Sequence, residues 1–204
     1  MAAIVCQKKA VVCQLIIYLS AIFWPSFVAF ADNVQKAESW FANVKTMRAD
    51  FIQIASDGSA AEGRLVMRRP SHLKIIYNSQ PPLALITTSV WLHVDQPDER
   101  LLTSYPISET PLSLILKDPV SLRPTGYETI VTEGVGGITQ IAINKDSGEG
   151  AGRLTLEFTN QPFELRRWVV QDVAGVKTSV TLQNLVFGVT VENEEFRLPN
   201  YHQE

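Results

Sequence analysis

Arg69 is the residue whose type and position most demand a chemical role. Residues 63 to 77 read G-R-L-V-M-R-R-P-S-H-L-K-I-I-Y, and side chains on a strand alternate between its two faces. The odd positions Leu65, Met67, Leu73, Ile75 and Tyr77 therefore form an apolar row, and Arg69 is the one cation in it. An isolated buried charge is costly. A guanidinium on that face needs a set of acceptors for its five donors, since it does not readily lose its charge. This direction holds if Pro70 and Ser71 preserve the register; if they turn the strand over, Arg69 belongs to the surface.

Other residues capable of chemistry do not assemble into a site. His72, His93 and His202 lack the short spacings of a zinc centre and read as strand or tail residues. Gly134-Val-Gly-Gly137 falls between two strand signals without a following helix, which points to a β-turn and not a phosphate loop. There is no G-x-S-x-G nucleophile elbow. Asp95, Asp98 and Glu99 cluster around Pro97 and read as surface acids of an exposed turn. No catalytic, metal-binding or cofactor-binding residue is nominated, and a triad assembled from distant residues would leave no local motif.

The first 31 residues read as a secretory signal peptide. Lys8 and Lys9 supply a basic start, Ala10 to Trp24 is uncharged, Pro25 breaks that run, and Ala29-Phe30-Ala31 offers a cleavage site before Asp32. The competing reading is an uncleaved anchor, because no charge occurs between Ala10 and Ala31. Cys6 and Cys13 both lie in this segment, so a mature chain of residues 32–204 has no cysteine for a disulfide or a lipid anchor. Its length suits one domain. Removing Lys8 and Lys9 leaves 16 basic against 21 acidic residues, a charge of −5. That sign disfavours nonspecific adhesion to nucleic acid or to an anionic membrane.

The elements that must position Arg69 follow from periodicity. Asp32 and Gln35 resemble a capping box, and Val34, Ala37, Phe41 and Val44 recur at helical spacing, predicting one amphipathic helix. Strands are predicted at 47–55, 63–69, 72–77, 83–89, 91–95 and 100–104, with turns at Gly58, Pro70, Pro81-Pro82 and Gln96-Pro97-Asp98. A second helix is predicted at 110–117, with Thr110 as cap, Pro111 in its first turn and a stop near Asp118-Pro119. Five more strands follow at 127–132, 138–144, 154–159, 163–172 and 178–187. Trp40, Trp91 and Trp168 are expected in core packing. The tally is mainly β (α+β), and its spacing favours one large antiparallel sheet, curved or barrel-like.

The ordered set of local patterns is similar to the periplasmic outer-membrane lipoprotein carrier family, LolA. The matching features are Phe51-x-Gln53, G-R-L-V-M-R-R-P at 63 to 70, Trp91, and Thr110-Pro111-Leu112. Leu165-Arg-Arg-Trp-Val-Val170, Thr178-x-Val180-x-Leu182 and an ending around Gly188, Phe196 and Pro199 complete the resemblance, which spans the mature chain. It implies an incomplete, strongly curved antiparallel β-barrel with helices forming a lid over a hydrophobic cavity for the acyl chains of lipoproteins.

Carried residue by residue, the resemblance makes Arg69 the lid latch, bonded to backbone carbonyls of the lid helices in the empty form. Leu73 falls at the family's hydrophobic site, where some members carry an aromatic, so a ring-specific contact is lost. Leu65, Met67, Ile75 and Tyr77 share its parity as cavity candidates, and Leu112 and Ile115 are the lid candidates. The implied partners are acylated lipoproteins, an inner-membrane lipoprotein-releasing transporter and an outer-membrane acceptor, with no nucleic acid and no cofactor, the carrier acting as a monomer in the periplasm. Two other readings stay open: an envelope sensor of related fold that binds a lipidated ligand or regulatory partner without shuttling it, and a lipid-modifying enzyme.

Overall fold

All eleven predicted strands form, and they join a single antiparallel sheet. The computed structural model describes residues 27–148 and 151–201, with side chains from residue 33 onward. Most of the predicted leader, both cysteines and His202 therefore lie outside the described residues. The elements are α1 (Phe27–Asn43), β1 (Thr46–Ala55), β2 (Ala60–Arg68), β3 (His72–Tyr77), β4 (Leu83–Thr87), β5 (Trp91–Gln96) and β6 (Leu101–Pro106). A short helix, α2 (Ser113–Leu116), precedes β7 (Glu128–Gly134), β8 (Ile138–Lys145), β9 (Gly152–Asn160), β10 (Phe163–Gln171) and β11 (Lys177–Phe187).

The sheet order β6-β5-β4-β3-β2-β1-β11-β10-β9-β8-β7 places two meanders side by side, joined where the first strand pairs with the last. The strands β6 and β7 are consecutive in the chain yet occupy opposite edges. Residues 107–127 must therefore travel from one edge of the curved sheet to the other. They carry Leu114, Ile115, Leu116, Val120 and Leu122 into the same apolar cluster as the sheet's inner face. Val34, Ala37 and Phe41 of α1 enter that cluster too, at 0% exposure. Glu38 joins the two covering segments by accepting the Leu122 N–H at 2.8 Å.

Local signals in the covering segments differ from expectation at their caps. The helix α1 runs back to Phe27, so Asp32 lies within it and is not its N-cap. Thr110 does not cap α2; its hydroxyl donates to the Ile107 carbonyl at 2.9 Å. The N–H groups of Ser113, Leu114 and Ile115 each reach back three residues, to Thr110, Pro111 and Leu112. The segment is thus a tight 3₁₀-type run ending in one α-turn, because its apolar residues must pack on the sheet within very few positions.

On the sheet, the expected parity holds. Leu65 pairs with Ile75 and Met67 with Leu73, and directly paired residues share a face. Gly63 pairs with both Phe51 and Tyr77, whose rings meet edge to face across it at 5.3 Å. A Cβ on Gly63 would lie 2.0 Å from the Ile76 carbonyl oxygen and 2.9 Å from the Phe51 ring, so only glycine permits this approach.

The strand β2 breaks its own alternation, with Leu65, Val66 and Met67 all buried. Its outer face is covered by residues 188–201, a strap that lays Val191 and Phe196 on Val66. Arg68 donates to the Val191 carbonyl at 2.9 Å and to Asn193 Oδ1 at 2.7 Å, and its guanidinium lies 5.2 Å from the Phe196 ring centroid. His72 stands against the same ring at 5.1 Å. At the far end the Tyr201 hydroxyl donates to Asp95. Asp95 is therefore a buried acceptor and not a turn acid, whereas Asp98 and Glu99 are exposed as expected. Trp168 is in the core and Trp40 packs against it, but Trp91 is 44% exposed on an outer position of β5. The residues 135–137 form the β7–β8 turn, with Gly136 and Gly137 at positive φ.

Two outcomes test this packing. Gly63→Ala is expected to lower stability by about 1 to 3 kcal/mol through overpacking, measured by urea denaturation. The hydrogen bond to Asp95 pushes the Tyr201 phenol up to about 12. A raised folded-state value means the contribution is complete below the ordinary tyrosine value, roughly 10, and disappears as pH climbs through about 12. Tyrosinate absorbance should show this late titration in the native protein, with an amplitude that falls by one tyrosine in Tyr201→Phe.

Candidate functional site

Arg69 opens the three-residue connection between β2 and β3, whose last pair is Arg68 with His72. The Arg69–Pro70 peptide is cis and Ser71 has φ of +72°; the antiparallel pairing of β2 with β3 shows that the chain reverses within these positions. The main chain of this loop already grips its surroundings: the Arg69 N–H donates to the Lys45 carbonyl at 2.8 Å and the Ser71 N–H to the Leu116 carbonyl at 2.9 Å. Pro70 thus preserves the inner row by ending one strand and starting the next in matched register, not by continuing the strand.

The Arg69 side chain is fully enclosed, at 0% exposure. Its Nε donates to the Ile115 carbonyl at 3.1 Å, one terminal nitrogen donates to the Phe41 carbonyl, and the other to the Lys117 carbonyl. The acceptors belong to the last turn of α1 and to the end of α2, where carbonyls lack partners within their own helix. Together with Ser71, the loop satisfies three successive carbonyls of the lid: Ile115, Leu116 and Lys117. The Phe41 ring lies 5.5 Å from the guanidinium carbon and adds its π face.

Burial lowers the pKa of Arg69 from its ordinary value, and the charge of Asp118 opposes that shift. The Asp118 carboxylate stands 3.8 Å from Arg69 and 3.1 Å from Lys45 Nζ. Enclosing a charge costs several kcal/mol unless its hydrogen bonds are replaced. Here three carbonyls and a nearby carboxylate replace them, so the cation is stable only while α1, the lid and the hairpin are together.

The apolar candidates sort by depth. Leu65, Met67, Leu73, Ile75 and Ile115 are 1–5% exposed and share one cluster with Leu114 and Leu116 of the lid. Tyr77 and Leu112 are half-buried at the margin of that cluster. The Tyr77 hydroxyl donates to Gln53 at 2.9 Å, and burial raises its pKa. Leu114, Ile115 and Leu116 cover this row.

Several contributors were not singled out from sequence. Thr87 is 1% exposed; its hydroxyl donates to the Ser71 carbonyl at 2.6 Å and accepts the Leu73 N–H at 2.8 Å. It holds the first turn of β3 against the Arg69 loop. The parity that exposed Arg69 also marks Thr87, a polar residue on the inner row of Leu83, Leu85 and Thr87. Asp118 and Lys45 carried no signal, because their approach to Arg69 is set by tertiary packing. His93 bonds Ser104 at 2.8 Å on the outer face, and its burial lowers its pKa. Among the described residues, no group of three His, Cys, Asp or Glu side chains converges on a metal-sized site.

Comparison with known proteins places this architecture. No curated protein matches the chain in sequence. A DUF1329 family protein from Desulfovibrio piger shares the fold with TM-score 0.51 at 10% identity, over 83% of this chain and 96% of that one. A LolA superfamily protein from Nitrosomonas europaea gives TM-score 0.48 at 7% identity, covering 83% and 97%. A putative outer membrane lipoprotein-sorting protein domain from Vibrio parahaemolyticus gives 0.49 at 9%, covering 81% and 96%. The family model described as outer membrane lipoprotein carrier protein LolA matches residues 42–199, from the end of α1 through the sheet, the covering segment at 107–127 and the strap. With that match spanning all eleven strands and the segment that covers them, the chain belongs to the LolA family of outer membrane lipoprotein carrier proteins.

Proposed function

We propose that this protein is a non-enzymatic periplasmic carrier. It takes the acyl chains of lipoproteins released by an inner-membrane transporter and delivers them to an outer-membrane acceptor. The observation that carries this reading is the Arg69 latch: one buried cation holds a lid closed over an apolar row by bonding carbonyls from both covering segments. The leader at residues 1–31 would direct export, and cleavage before Asp32 would leave Val34, Ala37 and Phe41 to seal the core.

The energetics suit transfer better than storage. Each buried methylene is worth about 0.8 kcal/mol, so several long acyl chains gain on the order of tens of kcal/mol from full enclosure. Complete capture would prevent delivery. In this carrier, chains entering the inner row displace Leu114, Ile115 and Leu116 and separate Arg69 from its carbonyl acceptors. The closed lid thus competes with the cargo, and its re-formation helps to drive release. No nucleotide hydrolysis in this chain is needed for that cycle.

Incubating the purified protein with inner-membrane vesicles holding a labelled lipoprotein, under energised transport conditions, should yield a soluble complex. Absence of that complex would move the reading to a sensor that binds without shuttling. Arg69→Leu removes charge-assisted bonds of about 1.5 to 3 kcal/mol each. It should retain cargo but pass it to the acceptor at least tenfold more slowly than the native protein. In the empty Arg69→Leu protein, amide exchange at 114–118 should accelerate at least tenfold while β8 and β9 keep their protection. A wild-type transfer rate or unchanged lid exchange would show that Arg69 is not the latch.

A further inference from the structure

The outer face of the sheet carries a second concave feature, unconnected with the apolar row. Cross-strand register sets Arg48, Val66 and Lys74 in one row and Asp50, Arg64 and Ile76 in the next. Arg64 therefore lies diagonal to both Arg48 and Lys74, roughly 7–8 Å from each at the backbone. The strap forms one wall, and the enclosed groove measures about 370 Å³.

Its charges are unequally satisfied. Arg48 binds Glu195 of the strap at 2.6 Å, and Asp50 accepts a hydrogen bond from Asn184 at 2.7 Å. The Arg48 hydrogen bond, aided by the charges of Arg48 and Lys74, holds the Glu195 carboxyl below its usual range. Arg64 and Lys74 have no ion-pair partner within 4.0 Å among the described residues. A chain of net charge −3 therefore keeps two cations without a direct ion pair beside the partly exposed Ile76.

We propose that this groove docks an acidic polypeptide segment of a partner, whose carboxylates are taken by Arg64 and Lys74 beside the protein's own Glu195. The structure already seats one chain-borne carboxylate there, Glu195 on Arg48, which shows the kind of group the groove accepts. The partly exposed Ile76 suits the aliphatic stem of an acidic side chain. A flat anionic bilayer fits poorly, since Lys74 is half-buried and the strap's Glu195 stands beside it as a fixed negative charge. A free phosphate would leave Ile76 unused.

Fluorescein-labelled hexaglutamate, titrated into the purified protein at low salt and followed by anisotropy, tests the proposal. Saturable binding is expected, weakened by added salt. Hexalysine should not bind, and inorganic phosphate at matched ionic strength should not compete. Arg64→Gln with Lys74→Gln should weaken binding about tenfold, given that each exposed pair contributes a two- to fivefold effect. Arg153→Gln, on β9 and bonded to Asn144, should change it less than twofold. Glu195→Gln keeps an acceptor for the strap's capping box while freeing Arg48, so it should tighten binding severalfold; this gain does not depend on the stability of the double variant. Failure of hexaglutamate to bind would overturn the proposal, as would equal losses in the Arg153 and Arg64/Lys74 variants or no gain in Glu195→Gln. Phosphatidylglycerol vesicles binding where hexaglutamate does not would also overturn it, identifying a lipid surface instead. None of these readouts involves acyl transfer, so the groove and the latch stand or fall separately.

Discussion

The structure depends on one shared cation. Arg69 reaches the carbonyls of Phe41, Ile115 and Lys117, which belong to segments separated from it by 28, 46 and 48 positions. No single helix end or turn could satisfy a buried guanidinium alone. The geometry couples closure of the lid, the end of α1 and the β2–β3 turn into one event. Separating any of them leaves a charge and several carbonyls without partners in a region that excludes water.

The sheet makes that coupling useful. Because the two edge strands are neighbours in sequence, the connection between them must cross the sheet, and the crossing is what covers the inner face. The same chain that bridges the edges is thus the inner face's cover. The opposite face is treated differently: the strap seals Val66 with Val191 and Phe196 and is pinned by Arg68 and Tyr201. One face is closed by a segment held on a few directed bonds, the other by a segment held on apolar contact and spread-out polar ties.

The sequence made the inner row legible because strand parity is a local property. Leu65, Met67, Leu73 and Ile75 share a face as expected, and Arg69 lies among them. The eleven strands were equally readable from alternation and turn residues. What parity cannot reveal is strand order, so the edge-to-edge path of residues 107–127 had no signature. The proposed caps Asp32 and Thr110 failed because a capping residue type does not fix where a helix begins when packing extends or compresses it. Val66 carried a signal of the strap, an apolar residue at a position facing outward, but that pattern also occurs singly on ordinary surfaces. Thr87 was accessible to the same parity argument as Arg69, whereas Asp118 and Lys45 meet Arg69 only through the tertiary fold.

The seam between the two meanders has a consequence for how the molecule is made. At its start β1 pairs Met47 with Phe187, so the central junction of the sheet joins residues near opposite ends of the described chain. Until β11 is available, β1 has a partner on one side only and neither meander can complete its curvature. Closing so long a loop carries an entropic cost before any packing offsets it, which slows folding. A chain emerging from its N-terminus therefore cannot commit early to its final form. The junction that unites the two meanders is thus the last part of the sheet for which all residues become available.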